Sequence, residues 1–354
     1  MVYYFLAILF FVFGLNEVGG NRKVNSSYIF CITVILIVAG LKIKGSTDYS
    51  SYKSFYEYVD GSFSFYSFYE PGFQLFSLII KGFGAGFVMY YFLFTCVSIG
   101  TKALIFRKLC PYLFPALLIY LCGLFFERDN DGIRQGMSIA FCFLSLYFLF
   151  ENKKMGFIIS IIIAISFHYT SAVFLLSYFL DKVKVKNRTI AIVVAIFTGL
   201  CIMHLSLSSI FINYIPLEVT VIKLQQYSNS EASATMGLSI GLLFRIGILL
   251  TFMHLRNKMK IEDRHYIILR NGFAISILMS LAFNDFILIA HRLPYAFREL
   301  QIIIVPYLFT AIKQRNNRIA ALFIVFIYSI LLLWRFLNGD ASVIYGSYEN
   351  YLFS

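Results

Sequence analysis

Charged residues are scarce in this chain of 354 residues. They make up 14% of it, whereas hydrophobic residues make up 60% and the mean hydropathy is +0.78. A soluble domain carries about 25% charged residues. Apolar runs of membrane-spanning length recur throughout and leave no stretch long enough for a soluble domain. The sequence therefore predicts an all-α, polytopic integral membrane protein with about 11–12 transmembrane helices in one transmembrane domain, residues 1–354.

Recognisable catalytic and ligand-binding motifs are also missing. The chain has no Walker motif, HExxH, GxSxG or metal-spaced cluster of His and Cys. Its six cysteines form no CxxC pair and lie in or beside apolar runs, so they are interpreted as small packing residues. No cofactor and no metal are predicted. No internal repeat occurs, which weakens a transporter interpretation because many transporters consist of repeats.

The net charge is +12, and the positions of the basic residues indicate the membrane topology. Basic residues concentrate in short loops between apolar runs, which argues against a nucleic-acid partner and follows the positive-inside rule. With the basic loops in the cytoplasm, both termini lie outside. The predicted spans are 2–17, 28–43, 86–106, 111–126, 133–150, 155–167, 170–181, 189–207, 237–255, 266–283, 295–312 and 319–337.

Residues 155–180 form an apolar run that is short for two helices, at about 1.5 Å of rise per residue. Both flanks are basic and are predicted to be cytoplasmic, which requires an even number of crossings. The run is therefore predicted to break near His168 into two short helices. Such a break is tolerated only where it is buried in protein or lines a cavity. His168 is thus a functional candidate, although a packing histidine is the alternative.

Two outer segments are long. Residues 44–85 are rich in aromatic residues, and an interfacial helix is predicted from Pro71, directly after Glu70. The second outer segment, 208–236, contains an amphipathic stretch. Aromatic side chains suit the apolar faces of sugar rings, so the first outer segment is expected to contact a glycan.

Four arginines are predicted on or near the outer side: Arg128, Arg134, Arg245 and Arg292. Arg134 lies at a helix start, where an anion is favoured and a lone cation is not. Arginine suits bidentate phosphate recognition, so the expected partner is a multiply charged anion such as a lipid diphosphate. The alternatives are a solvated turn over 127–135, snorkelling of Arg245, and interfacial anchoring by Arg292.

Several short motifs follow one another along the chain. They are Asp48…Tyr49…Tyr52, Tyr69-Glu70-Pro71-Gly72-Phe73, Ile133-Arg134-Gln135-Gly136-Met137, Phe167-His168-Tyr169-Thr170-Ser171 and Arg292…Tyr295…Phe297. The series resembles the EpsG branch of the Wzy-type polysaccharide polymerases. The resemblance extends from about residue 40 to 310.

The resemblance implies a multi-pass enzyme of the bacterial inner membrane with its active site facing the periplasm. Such polymerases transfer a growing O-antigen or exopolysaccharide chain from undecaprenyl diphosphate to a new lipid-linked repeat unit. The family is similar to the metal-independent C-type lipid-dependent glycosyltransferases. Arg134, His168 and Arg292 match its most recognisable positions. Expected partners are the lipid-linked oligosaccharide, the bilayer and, as a candidate, a chain-length regulator.

The residues are assigned expected roles on this basis. Glu70 is the first candidate for the catalytic proton acceptor and His168 the second, with diphosphate binding as an alternative role for His168. The four arginines are expected to bind diphosphate. The expected acceptor or sugar contacts are Asp48, Tyr49, Tyr52 and Gln135.

Two other functions stay open at this point. One is an O-antigen ligase or another lipid-linked-sugar glycosyltransferase. The other is a flippase or transporter of a lipid-linked or anionic solute. A flippase needs charges reachable from both sides, whereas the charges within spans cluster in the outer half.

Overall fold

The structure is a computed structural model that describes residues 2–20, 24–44, 46–59, 63, 69–203, 237–284, 287–339 and 348–352. The described chain is almost entirely helical, which confirms the all-α fold class. In chain order the helices are α1 (Val2–Val18), α2 (Asn25–Gly40), α3 (Tyr49–Tyr58), α4 (Pro71–Gly82), α5 (Phe87–Leu109), α6 (Leu113–Tyr120), α7 (Ile133–Phe150), α8 (Lys154–Phe167), α9 (Asn187–Ile202), α10 (Ile240–His254), α11 (Asp263–Ala282), α12 (Ile287–Arg292), α13 (Tyr295–Arg298), α14 (Gln301–Thr310) and α15 (Arg315–Asn338). Two short strands, β1 (Lys42–Lys44) and β2 (Glu349–Asn350), pair antiparallel.

Within the described ranges, four helices are long and apolar enough to cross a membrane. They are α5, α7, α11 and α15, and five shorter apolar helices accompany them: α1, α2, α8, α9 and α10. This confirms a polytopic membrane protein. The number of crossings stays a prediction, and the outer segment 208–236 lies outside the described residues.

The predicted break at His168 is present. Helix α8 ends at Phe167, His168 is extended with φ −160° and ψ 119°, and a 3-10 helix follows over Tyr169–Lys182. The second half was predicted as the span 170–181, and its 3-10 form makes it longer than an α-helix of the same residues. A 3-10 helix rises about 2.0 Å per residue and an α-helix about 1.5 Å, so the same residues reach further.

Three predicted spans differ from the observed elements. The span 28–43 ends early, at Gly40, because Lys42–Lys44 pair with β2 near the other end of the chain. The span 111–126 begins as α6 and continues as a π-helix over Leu121–Asp129. The span 295–312 is divided into α13 and α14.

The chain forms two compact units, Met1–Ala172 with Val305–Ser354, and Val173–Ile304. In the first unit, segments predicted on the same side of the membrane contact one another. On the predicted inner side, the Glu17 carboxylate accepts hydrogen bonds from the backbone N–H groups of Leu113 at 2.8 Å and Phe114 at 2.9 Å. It therefore caps the N-terminus of α6. On the predicted outer side, Lys44 and Glu349 form an ion pair at 2.7 Å.

An aromatic cluster fills the first unit beside α3 and α4. Helix α4 begins at Pro71, as predicted, whereas α3 was not predicted. The cluster packs rings from both helices against α5 and includes Tyr52, Tyr56, Phe73, Tyr90, Tyr91 and Phe94. Among the described aromatic residues of the first outer segment, Tyr52, Tyr56 and Phe73 are therefore buried in this cluster.

Candidate functional site

Three residues from distant parts of the sequence meet in the first unit. The Glu70 carboxylate contacts the Arg134 guanidinium through Oε2 and Nη1, and its Oε1 lies 2.8 Å from Nδ1 of His168. The Glu70 side chain is 6% exposed, while Arg134 and His168 are each 16% exposed. The structure thus joins the two predicted catalytic residues to one predicted diphosphate ligand. We call these three residues the Glu70 cluster.

Helix ends position all three side chains. Glu70 precedes Pro71, the first residue of α4, and its extended backbone directs the chain into the helix. Arg134 is the second residue of α7, and His168 lies where α8 ends. Side chains at helix ends can converge on one point while their helices diverge.

Gly72 allows α4 to approach α8. A Cβ atom at position 72 would lie 2.8 Å from the backbone oxygen of Ser166 and closer still to its hydroxyl. Since a backbone oxygen cannot rotate away, only glycine fits here without a shift of the helices. Ser166 is two residues before His168, so this close approach brings Glu70 and His168 together.

Glu70 supplies the anion that the start of α7 requires. The sequence predicts an anionic ligand for Arg134 because a cation opposes the helix dipole there, but the partner in this structure is the Glu70 carboxylate. Burial alone raises the pKa of Glu70. The hydrogen bond from His168 and the charge of Arg134 more than offset burial, so the pKa lies below its usual value. Glu70 is therefore a stable carboxylate at neutral pH.

Aromatic rings surround the Arg134 guanidinium. Its central carbon lies 4.9 Å from the ring centre of Tyr69 and 5.9 Å from those of Tyr52 and Phe73. Cation–π contacts of this kind stabilise a guanidinium by about 0.5–2 kcal/mol each. The rings restrict the space open to the guanidinium, whose planar fork suits recognition of a bidentate anion.

The two ring nitrogens of His168 differ in their hydrogen bonding. Its Nδ1 bonds to Glu70, whereas Nε2 is buried and forms no hydrogen bond with any described residue. With an ionised Glu70 as acceptor, Nδ1 is the donor of this hydrogen bond, and in the neutral imidazole Nε2 then holds the lone pair. A carboxylate that fixes the imidazole tautomer in this way is the arrangement used in acid–base catalysis.

Of the four predicted sugar contacts, Tyr52 lies near the Arg134 guanidinium and Gln135 follows Arg134 in α7. Tyr52 is buried, and its hydroxyl donates to Oδ2 of Asp48 at 3.2 Å. Tyr49 is half-buried and packs on Phe87, with 5.2 Å between ring centres. Gln135 is half-buried beside Arg134. Their contact with a glycan stays a prediction.

Arg128 belongs to a different charge network, in the turn after the π-helix. It pairs with Glu127 at 3.8 Å. The neighbouring Asp129 is buried, and its carboxylate accepts from Lys102 Nζ at 2.6 Å and from Tyr120 at 2.8 Å. The solvated-turn alternative is therefore wrong for Asp129. Sequence reasoning missed the Lys102–Asp129 pair, although a lysine within a span implies a nearby acid.

Arg245 and Arg292 lie in the second unit. Arg245 is buried within α10, whereas Arg292 is exposed at the end of α12. Arg298 is buried, bonds to Glu299 at 2.9 Å and stacks on Tyr295 at 3.9 Å. Of the four predicted diphosphate ligands, Arg134 is the one that pairs with Glu70.

These features describe an all-α membrane protein in which a buried carboxylate contacts a partly exposed guanidinium and a partly exposed imidazole at converging helix ends. The chain matches the EpsG family over residues 26–353 and belongs to that family. Family membership gives it a polysaccharide polymerase role of the glycosyltransferase type. No curated protein and no solved structure matches the chain.

Proposed function

We propose that this protein polymerises an O-antigen or exopolysaccharide by transferring the growing glycan from undecaprenyl diphosphate to a new lipid-linked repeat unit. The active site would face the periplasm from the bacterial inner membrane. The observation that carries the proposal is the Glu70 cluster, because it combines an anion-binding side chain with an oriented imidazole.

The proposed reaction is a displacement at the anomeric carbon of the donor sugar. A hydroxyl oxygen of the acceptor forms the new glycosidic bond, and the bond from the anomeric carbon to the diphosphate oxygen breaks. The acceptor proton passes to a base on the protein, and the lipid diphosphate leaves with its charge. The reaction therefore requires a proton acceptor and groups that hold the developing phosphate charge.

The geometry reverses the expected ranking of Glu70 and His168. Both Glu70 oxygens are engaged, and the lowered pKa makes this carboxylate a poor proton acceptor. His168 instead offers an unoccupied Nε2. We therefore assign proton abstraction to His168 and the orientation of its ring to Glu70.

Arg134 is the proposed ligand of the diphosphate. Its guanidinium carries five N–H donors, more than the Glu70 carboxylate can accept. It is partly exposed and lies near the rings of Tyr52, Tyr69 and Phe73. One arginine can therefore contact Glu70 and a phosphate oxygen together. Arg245 and Arg292 remain proposed ligands on the basis of charge and resemblance.

Two observations support a shared outer face. Thr47 and Asp131, from two segments predicted outside, are hydrogen-bonded at 2.7 Å. The Glu70 cluster likewise joins Glu70 of the first outer segment to Arg134 at the start of α7 and to His168 at the end of α8. Both of these helix ends are predicted to lie on the outer side. A periplasmic site requires this arrangement, because the repeat units are flipped before they are joined.

Gene deletion in the host tests the function against its alternatives. Loss of a polymerase leaves single repeat units on the surface lipid, whereas loss of a ligase leaves none attached. Loss of a flippase retains the lipid-linked units in the inner leaflet. Purified protein should also lengthen lipid-linked repeat units in detergent or vesicles without any other enzyme. Failure to do so with active donor and acceptor would contradict the proposal.

A further inference from the structure

Asp131 receives hydrogen bonds from the three residues that lead into α3. Its Oδ1 accepts from the Ser46 hydroxyl and the Thr47 N–H, both at 2.7 Å, and from the Asp48 N–H at 3.2 Å. Its Oδ2 accepts from the Thr47 hydroxyl at 2.7 Å. The side chain of Asp48, directly before α3, forms no capping bond of its own. Asp131 therefore anchors the segment that leads into α3 from a distant part of the chain, and it satisfies the Asp48 N–H, one of the free N–H groups at the helix start.

Asp131 is linked to Arg134 by two routes. Along the chain, it is three residues before Arg134 at the start of α7. Through space, it holds the start of α3, where Asp48 accepts from Tyr52 and the Tyr52 ring lies 5.9 Å from the Arg134 guanidinium. The two routes meet at Arg134, so the Asp131 bonds fix α3 relative to the start of α7.

We propose that Asp131 is a positioning residue for Arg134. It holds the ring of Tyr52 against the guanidinium, and thereby sets the orientation in which Arg134 meets a phosphate. The inference rests on the proposed function, in which Arg134 binds the diphosphate. Asp131 does not itself act as base or ligand here, because its carboxylate already accepts from several donors.

The first test compares Asp131→Ala with Asp131→Asn in the purified polymerase. Alanine removes every acceptor, so kcat/KM for the lipid-linked donor should fall about 10–100-fold, as expected for a displacement near 1 Å. Asparagine keeps an acceptor oxygen without the charge, so it should recover most of the loss. If asparagine is as inactive as alanine, or if alanine changes kcat/KM less than twofold, the proposal is overturned.

The second test asks whether Asp131 acts through Arg134. In an Arg134→Lys background with residual activity, Asp131→Ala should cause little further loss, because the oriented guanidinium is already absent. Independent, multiplicative losses would indicate a general structural role and would overturn the proposal.

A third measurement does not depend on activity. Tyr52→Cys is labelled with a membrane-impermeant maleimide, with and without Asp131→Ala. Loosening of α3 should raise the labelling rate several-fold in the alanine variant and leave the asparagine variant near its parent. An unchanged rate overturns the proposal. If labelling changes as expected but Arg134→Ala still polymerises normally, the proposed function fails while the structural role of Asp131 stands.

Discussion

Two ion pairs with a buried acidic residue lie near the start of α7, and they differ in exposure and in how completely their hydrogen bonds are satisfied. Lys102 and Asp129 are 0% and 1% exposed, and Lys102 also donates to the Ser98 hydroxyl and the Gly136 carbonyl. In the Glu70 cluster, two of the three side chains are 16% exposed. That cluster also retains an unbonded imidazole nitrogen within the described residues.

The comparison indicates how to tell a structural charge from a functional one in this fold. A buried charge at membrane depth is expensive unless its hydrogen bonds are satisfied. Lys102 and Asp129 satisfy each other and leave no capacity for a ligand. The Glu70 cluster is partly exposed and leaves Nε2 of His168 unbonded among the described residues, so it retains a group that a substrate can use.

The largest expected effect is on Arg134. Arg134→Ala should lower the polymerisation rate by about 100–1,000-fold, as removal of one preorganised transition-state donor does. Arg134→Lys should recover little, because an ammonium cannot make the bidentate contact. Polymer length and single-turnover rates measure both variants at matched protein level. Arg107→Ala, exposed near the end of α5, is the control. Full activity of the lysine variant would indicate simple charge anchoring.

Substitutions in the Lys102–Asp129 pair should lower protein stability rather than directly affect the reaction. Lys102→Met leaves Asp129 buried without its counter-ion and should destabilise the fold by about 3–5 kcal/mol. The double variant Lys102→Met with Asp129→Leu should regain much of that loss. Thermal unfolding in detergent gives the comparison. A single variant as stable as wild type would mean that the pair is not buried in the native protein.

Gly72 offers a smaller and more local perturbation of the Glu70 cluster. Gly72→Ala forces α4 away from the Ser166 carbonyl, and it should lower kcat about tenfold by separating Glu70 from His168. Gly82→Ala is a matched control in the same helix, because a Cβ there meets nothing within 4 Å. Equal activity of the two variants would show that catalysis does not depend on the close contact between α4 and α8.

Acidification should produce the smallest effect. The pKa of Glu70 is lowered on folding, so its stabilising contribution is present above the unfolded value of 4.5 and is lost as the pH falls through the lower folded value. Melting temperatures measured from neutral pH downward should therefore decline more steeply in wild type than in Glu70→Gln. Parallel pH profiles would contradict the ionised, paired state of Glu70.

Much of the fold follows from sequence patterns. Hydropathy located most of the helices, and the basic flanks of residues 155–180 located the break at His168. Pro71 marked the start of α4. These features depend on local composition, which the sequence displays directly.

The sequence identified the three residues of the Glu70 cluster as candidates, but it did not predict that they contact one another. Glu70, Arg134 and His168 were each predicted separately as candidates. Their contact depends on the close approach of α4 and α8 at Gly72. These helices are far apart in the sequence, so no local sequence pattern predicts that approach. The same holds for Lys102 with Asp129 and for Asp131 with Thr47. Helix α3 was missed because its aromatic residues resembled a glycan-binding loop, whereas Tyr52 and Tyr56 are buried in a protein core.

The most direct test of the account separates donor binding from turnover in His168→Ala and Glu70→Gln. If His168 Nε2 accepts the proton, His168→Ala should lower the single-turnover rate by about 100–10,000-fold while the Kd for the lipid-diphosphate donor changes less than about threefold. Glu70→Gln should show a smaller loss of rate, because the glutamine oxygen still accepts from Nδ1 of His168. A His168→Ala variant that polymerises near the wild-type rate, or that loses only donor affinity, would contradict the assignment of His168 as the proton acceptor.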